Sequence, residues 1–189
     1  MPQIPPVLIT AVRDQRAVLF LGSGASRDAI HPTNKRIPLG DDLRDLISDR
    51  FLGGALKNRP LVAVSAMASN EAGLSAFQQY IREVFVDFQP ADFHKLIPHF
   101  RWRAIATTNF DLLIERAYEQ VDGLQTLVKS VKDSDGFDER MHQEVSPVGF
   151  YKLHGCIDHY TDFEISMVLG NEQYASYSLA PGAVLFPIS

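Results

Sequence analysis

AVLFLGSGASR, residues 17–27, is the stretch that decides the fold of this chain. Its five apolar residues, Ala17–Leu21, have the length and composition of a strand that is buried on both faces, as in a parallel sheet. Gly22-Ser23-Gly24 follows directly and predicts a tight turn in which glycine can adopt conformations barred to most side chains. Residues 25–27 would then open a helix.

A strand, a glycine turn and a helix together form a cradle for phosphate. The free N–H groups and the positive dipole end of the helix point at an anion above the turn, and glycine lets the backbone approach it closely. The alternative is a plain strand-to-helix turn, because Arg27 stands where GxGxxG has its third glycine. This stretch alone leaves both interpretations open.

Composition narrows the possible functions. The chain has 189 residues, of which 46% are hydrophobic and 22% are charged, which predicts a single globular domain with a substantial core. A net charge of -5 and scattered basic residues argue against direct nucleic-acid binding. The single cysteine, Cys156, excludes an internal disulfide and a zinc site of paired CxxC ligands. The absence of a leader-like start or a long apolar segment predicts a cytoplasmic protein that does not bind a membrane.

The chain order predicts one α/β domain over residues 1–189, with a core of about 16–37 and 100–189 and a helical insertion of about 38–99. A short amphipathic helix, roughly Pro5–Gln15, is expected to pack on the first strand. The insertion shows apolar residues at helical spacing, and it is longer than the crossover that two parallel strands need. His94 and His99 fall within it and are interpreted as packing or surface residues, because no ligand spacing surrounds them.

A second informative stretch is RAIATTNFDLLIERAY, residues 103–118. Ala104–Ala106 reads as a buried strand and Leu112–Ala117 as a helix, so the polar residues between them lie at the carboxyl end of a strand. These residues are Thr107, Thr108, Asn109 and Asp111. They could serve as helix caps, but four in five positions is more than capping needs. Open α/β sheets commonly bind ligands at such strand ends.

A third strand end is predicted in VGFYKLHG, residues 148–155, after a surface loop over Asp133–Ser146. The strand delivers His154, and Gly155 lets the backbone turn away from it. A lone histidine is often structural, but its unperturbed pKa near 6.5 suits it to accept a proton at neutral pH. The three strand ends are expected to converge on one crevice.

GSGAS, TTNFD and KLHG, in this order, resemble the glycine loop, the TQNID-type motif and the catalytic HG of the sirtuin family. The TTNFD variant, with IPLGDDL after the glycine loop, is closer to the sirtuin-like NAD hydrolases of bacterial antiphage defence than to protein deacylases. The resemblance spans residues 17–155. It implies a Rossmann-like parallel sheet with helices on both faces and NAD as the substrate, with no metal required.

The resemblance also implies roles for individual residues. His154 would act as a base, and Thr108, Asn109 and Asp111 would position the nicotinamide ribose and an attacking water. The NAD phosphates would be held by the glycine loop, which consists of Gly22, Ser23, Gly24, Ala25 and Ser26.

Two departures from the sirtuin pattern affect the functional expectation. Deacylases carry paired zinc cysteines after the HG motif, whereas this chain has only Cys156, so no zinc ribbon is expected and the deacylase interpretation weakens. The GxSL-like loop that contacts the adenine-side ribose later in the sirtuin sequence is not found in this chain. Its last stretch, Ala183–Ile188, is apolar. We therefore expect an incomplete domain that a partner chain, another domain or a homo-oligomer completes or triggers.

The sequence favours an NAD glycohydrolase, a regulated effector in antiphage defence that releases nicotinamide and ADP-ribose. The main alternative is a module that senses NAD or ADP-ribose without turnover. NAD-dependent deacylation or ADP-ribosyl transfer is a further alternative, which would need an acceptor site. Cys156 is disfavoured as a nucleophile because only His154 stands beside it to activate it.

Overall fold

The computed structural model of the chain describes residues 4–131, 136–161, 167 and 169. Its centre is a four-stranded sheet in which every neighbouring pair is parallel and the strand order is β1-β2-β4-β3. The strands are β1 (Val18–Leu21), β2 (Ala104–Thr107), β3 (Thr126–Ser130) and β4 (Pro147–Lys152). Because all four strands are parallel, their carboxyl ends meet at one edge of the sheet.

Seven α-helices surround the sheet within the described residues. They are α1 (Pro6–Arg13), α2 (Gly40–Phe51), α3 (Leu61–Ala72), α4 (Leu74–Phe85), α5 (Asp92–Leu96), α6 (Leu113–Gln120) and α7 (Phe137–Gln143). Short 3₁₀ helices cover Ser23–Ser26, Ile97–His99 and Ile157–His159. Helices α2 to α5 all lie between β1 and β2, which is the helical insertion that the sequence predicts.

Helices cover both faces of the sheet. On one face, Ile105 of β2 and Phe150 of β4 are fully buried and pack with Ile114 of α6. On the other face, the rings of Phe137 in α7 and Tyr151 in β4 lie 5.2 Å apart between centroids. The prediction of a Rossmann-like α/β fold with a parallel sheet is therefore confirmed.

The insertion has its own apolar core, which is continuous with the sheet domain. Ile47, Val64, Phe77 and Ile81 are buried in it. The same cluster contains Leu113 at the start of α6 and Ile157, which follows the third strand end. The insertion therefore packs beside the carboxyl edge of the sheet, where ligands of such folds bind.

Around the sheet, the structure differs from the sequence expectations at α1 and β1, at β3 and at α7. Helix α1 buries none of its residues, and Val18 and Phe20 of β1 are 58% and 61% exposed, so α1 does not cover β1 as expected. Exposed and half-buried residues alternate along β1, so one of its faces is open, and the prediction that this strand is buried on both faces is wrong. Strand β3 was not predicted, and α7 occupies part of the predicted loop Asp133–Ser146.

Parts of the sequence interpretation lie outside the described residues. These parts are the start of the loop at Asp133 and the apolar stretch Ala183–Ile188. Among the described helices, none has the length and apolar character that crossing a membrane requires.

Candidate functional site

The carboxyl ends of β1, β2 and β4 are tied together by hydrogen bonds. The Thr107 hydroxyl donates to the Leu21 carbonyl at 3.0 Å, and the Leu153 N–H donates to the Thr107 carbonyl at 2.9 Å. Thr107 also accepts the Asn109 N–H at 2.9 Å through its hydroxyl oxygen. The three strand ends that the sequence singles out therefore form one edge.

A chain of side-chain hydrogen bonds connects the first two strand ends, and we call it the polar chain: Asn109, Ser26 and Asp111. The Asn109 amide donates from Nδ2 to the Ser26 hydroxyl at 2.9 Å, and this hydroxyl donates to Asp111 Oδ2 at 2.6 Å. Ser26 and Asp111 are buried. The short bond to a carboxylate is charge-assisted, which makes it stronger than a bond between neutral groups.

The polar chain fixes the orientation of Asn109. Its Nδ2 also donates to the Gly22 carbonyl at 2.9 Å, so both amide hydrogens are used. A flipped amide would set Oδ1 against the Gly22 carbonyl, and two acceptors cannot bond each other. The group that remains available to a ligand is Oδ1, which accepts hydrogen bonds from hydroxyl groups or water.

Asp111 has two further roles in this edge. Its Oδ1 accepts the Leu113 N–H at 3.1 Å and so caps the first turn of α6. Its main-chain carbonyl accepts a hydrogen bond from the buried ammonium of Lys152. The capping role that the sequence left open is therefore present together with the bond to Ser26.

The glycine loop, Gly22–Ser26, leaves space above its backbone. A Cβ built on either Gly22 or Gly24 meets no atom within 4 Å, and neither glycine has the positive φ that the predicted turn would use. The loop continues as one turn of 3₁₀ helix and not as the expected α-helix. The side chain of Ser26 turns inward to Asp111, away from this open space.

His94 of α5 forms a hydrogen bond to the main chain of the glycine loop. Its Nδ1 accepts the Ala91 N–H at 3.0 Å, so the proton sits on Nε2, which donates to the Ala25 carbonyl at 2.8 Å. The side chain is 1% exposed, and burial lowers the pKa of His94 below 6.5. His94 is therefore a buried structural residue, and it also holds the glycine loop in place.

His154 lies two residues beyond the end of β4 and is half-buried. Burial lowers its pKa below 6.5, so the imidazole is neutral near pH 7 and able to accept a proton. Gly155 adopts a φ of 83°, which turns the chain away after His154 as the sequence predicts.

Cys156 is fully buried beside charged groups. Its sulfur lies 3.8 Å from Lys129 Nζ and 3.9 Å from Glu115 Oε1. Burial, as the largest effect, raises the pKa of the thiol above its ordinary value. A buried thiol with a raised pKa is a poor nucleophile.

Two cavities lie near these residues. One of about 10 Å³ sits under the glycine loop among Ser26, His94, Thr107 and Asn109, and it has the size of one water molecule. His154 is not among the described residues that line it. A groove of about 870 Å³ runs instead between α6 and β3. The small cavity beneath the glycine loop is therefore too small for a nucleotide.

The structure brings Ser26, Asn109 and Asp111 into direct hydrogen bonding and puts Thr108 and His154 at the same edge. Thr107, which the sequence places in the same polar cluster, lies at this edge as well, and two further residues there, His94 and Lys152, were not predicted to be functional. A lysine in the otherwise apolar strand GFYK was the available signal for Lys152. Among the described residues, no group of three or more His, Cys, Asp or Glu side chains could hold a metal ion.

Comparison with protein families gives one match. A family model described as SIR2-like domain matches residues 103–184, which include β2, α6, β3, α7 and β4. The match covers less than half of the chain and supports a sirtuin-like domain over these residues. No curated protein matches the chain.

Ser26→Ala should lower the free energy of unfolding by about 1–3 kcal/mol, because it leaves a buried carboxylate oxygen and an amide hydrogen without a partner. Ser23→Ala is the matched control, since Ser23 is exposed in the same loop. Urea unfolding of both variants measures the difference. Equal stability of the two variants would contradict the polar chain.

The stability of the protein should fall as the pH drops below about 6.5. The pKa of His94 is lower in the folded protein than in the unfolded chain. As the pH falls, the unfolded chain therefore binds a proton before the folded protein does. The stabilisation that is present above the unfolded pKa is lost as the pH falls through the folded pKa. His154 acts in the same direction. In urea unfolding between about pH 7 and pH 5, the free energy of unfolding should depend less on pH in His94→Gln than in the wild type. Equal pH dependence of the free energy of unfolding in His94→Gln and the wild type would contradict the lowered pKa of His94.

Proposed function

We propose that this chain cleaves NAD to nicotinamide and ADP-ribose. The observation that carries the proposal is the open space at Gly22 and Gly24, next to an Asn109 whose Nδ2 donates twice and whose Oδ1 has no partner among the described residues. Neither backbone conformation nor packing within the described residues requires glycine at these two positions. A ligand backbone that approaches closely, such as a pyrophosphate, supplies the reason.

The residues fit the two ends of a dinucleotide. Backbone N–H groups of the glycine loop, residues 22–26, would bind the phosphates, with the side chain of Ser23 exposed toward solvent. Asn109 Oδ1 and the neighbouring Thr108 would accept and donate hydrogen bonds to the nicotinamide ribose. In this proposal Asp111 and the side chain of Ser26 act through Asn109, because the polar chain holds its amide.

The chemistry requires little from the protein. As the C1′–N1 bond of the nicotinamide ribose breaks, its electron pair neutralises the pyridinium ring, and the ribose becomes oxocarbenium-like. Water attacks C1′ and loses a proton. A neutral His154 at the same edge would take that proton, and Asn109 would hold the ribose and the water in line.

The family match supports the proposal at a coarser level. Proteins of the SIR2-like family generally use NAD, and the matched residues include Asn109, Asp111 and His154. We extend this to hydrolysis and to a regulated role in antiphage defence on the sequence resemblance of TTNFD and KLHG. We place the protein in the cytoplasm, where NAD is available.

We also propose that further protein completes the domain. Apolar residues of both α1 and β1 are exposed, among them Val7, Leu8 and Phe20. Large apolar surfaces of this kind are usually covered by protein. A second copy, a partner chain or further residues of the same chain would cover this surface and regulate NAD cleavage.

The test is nicotinamide release from NAD by the purified protein at micromolar concentration. Asn109→Ala and His154→Ala should each reduce kcat by about 10²-fold or more, because they remove ribose positioning and the base. Asn58→Ala and His99→Ala are matched controls at exposed positions of the insertion and should retain activity.

Each other outcome has a defined meaning. NAD binding without release by the wild type would favour a sensor of NAD or ADP-ribose. Release that persists in both Asn109→Ala and His154→Ala would contradict the assigned site. If the wild type neither binds NAD nor releases nicotinamide, the proposal is wrong for this chain.

A further inference from the structure

Lys152 is a charged residue in the interior that the cleavage chemistry does not use. It is the last residue of β4, and its side chain is 1% exposed. The ammonium group donates to the main-chain carbonyl of Asp111 and lies 3.3 Å from Glu115 Oε1. Both partners belong to the segment that leads from β2 into α6.

Lys152 is the inner end of a row of alternating charges. Glu115 Oε1 also lies 3.6 Å from Lys129 Nζ, and Lys129 reaches Asp158 at 3.2 Å near the surface. Burial is the largest single effect on Lys152 and opposes its ammonium form, but the negative groups around it, Glu115, Cys156 and Asp111, together outweigh burial and raise the pKa above its ordinary value. A buried ion pair of this kind often stabilises a fold no better than apolar side chains of similar volume. Stability alone therefore does not account for a lysine here.

The contacts of Lys152 join the two halves of the proposed site. Asp111 is held at its carboxylate by Ser26 and at its carbonyl by Lys152. Lys152 stands two residues before His154 on the same strand end. One ammonium group therefore links the segment that carries Asn109 to the strand that carries His154.

We propose that Lys152 is a positioning residue, which fixes the Asn109–Ser26–Asp111 chain relative to His154 by binding the Asp111 carbonyl. The inference rests on the proposed cleavage of NAD. Lys152 contacts no substrate in this account. Its effect passes through Asp111 to the orientation of Asn109.

Two variants separate positioning from charge balance. Lys152→Met keeps the length of the side chain but leaves Glu115 without its buried partner, whereas Lys152→Met combined with Glu115→Gln removes both charges. The double variant should recover much of the melting temperature that the single variant loses, because the charge of Glu115 is removed together with that of Lys152. Lys57→Met, which breaks the surface ion pair with Asp49, is the matched control.

The kinetic readout is kcat against KM for nicotinamide release. Both Lys152 variants should lower kcat by about 10-fold to 10²-fold with little change in KM, since a displacement of about 1 Å has an effect of this size. Lys57→Met should keep the wild-type kcat. Recovery of the wild-type kcat together with the melting temperature in the double variant would overturn the proposal.

A second readout does not depend on activity. Both hydrogens of the Asn109 side-chain amide are donated, so its ¹⁵N–¹H resonances, assigned with Asn109→Ala, report the polar chain. They should shift and exchange faster with solvent in the double variant. Unchanged resonances would overturn the role of Lys152 even if the wild type does not cleave NAD, whereas an inactive wild type with shifted resonances would reject only the proposed function.

Discussion

The site depends on the hydroxyl of Ser26, which is 3% exposed and joins Asn109 to Asp111. This one group ties the loop after β1 to the loop after β2. Without it, a buried carboxylate would lack its charge-assisted donor, and the Asn109 amide would be held only by its bond to the Gly22 carbonyl. The polar chain joins two neighbouring strand ends and orients the Asn109 amide so that its Oδ1 is left as an acceptor.

The sheet and its insertion make this arrangement possible. Parallel pairing in the order β1-β2-β4-β3 puts the glycine loop, the Asn109 segment and His154 at one edge. The insertion then supports the loop from the opposite side through His94, whose neutral imidazole bonds the Ala25 carbonyl. Regular secondary structure thus determines where the loops are, and a few buried polar side chains determine their conformation.

The sequence predicted what depends on local pattern. The apolar run Ala17–Leu21 and the polar cluster after Ala106 each mark a strand end, and helical spacing reveals the insertion. Strand β3 was missed because TLVKS is short and has a lysine within it, and α7 because its residues are mostly polar and none is buried. The inward turn of Ser26 and the role of His94 could not be predicted, because their partners lie more than 60 residues away in the chain.

The claim that a dinucleotide lies over the glycine loop is tested most directly by calorimetric titration of NAD and ADP-ribose into the wild type and Gly24→Val. A Cβ at position 24 meets no atom within 4 Å, so we expect the variant to fold with a melting temperature close to that of the wild type. It should nevertheless bind at least about 10-fold more weakly, because the valine occupies the space of the phosphates. Equal affinity of the two proteins, or no binding by the wild type, would contradict the account.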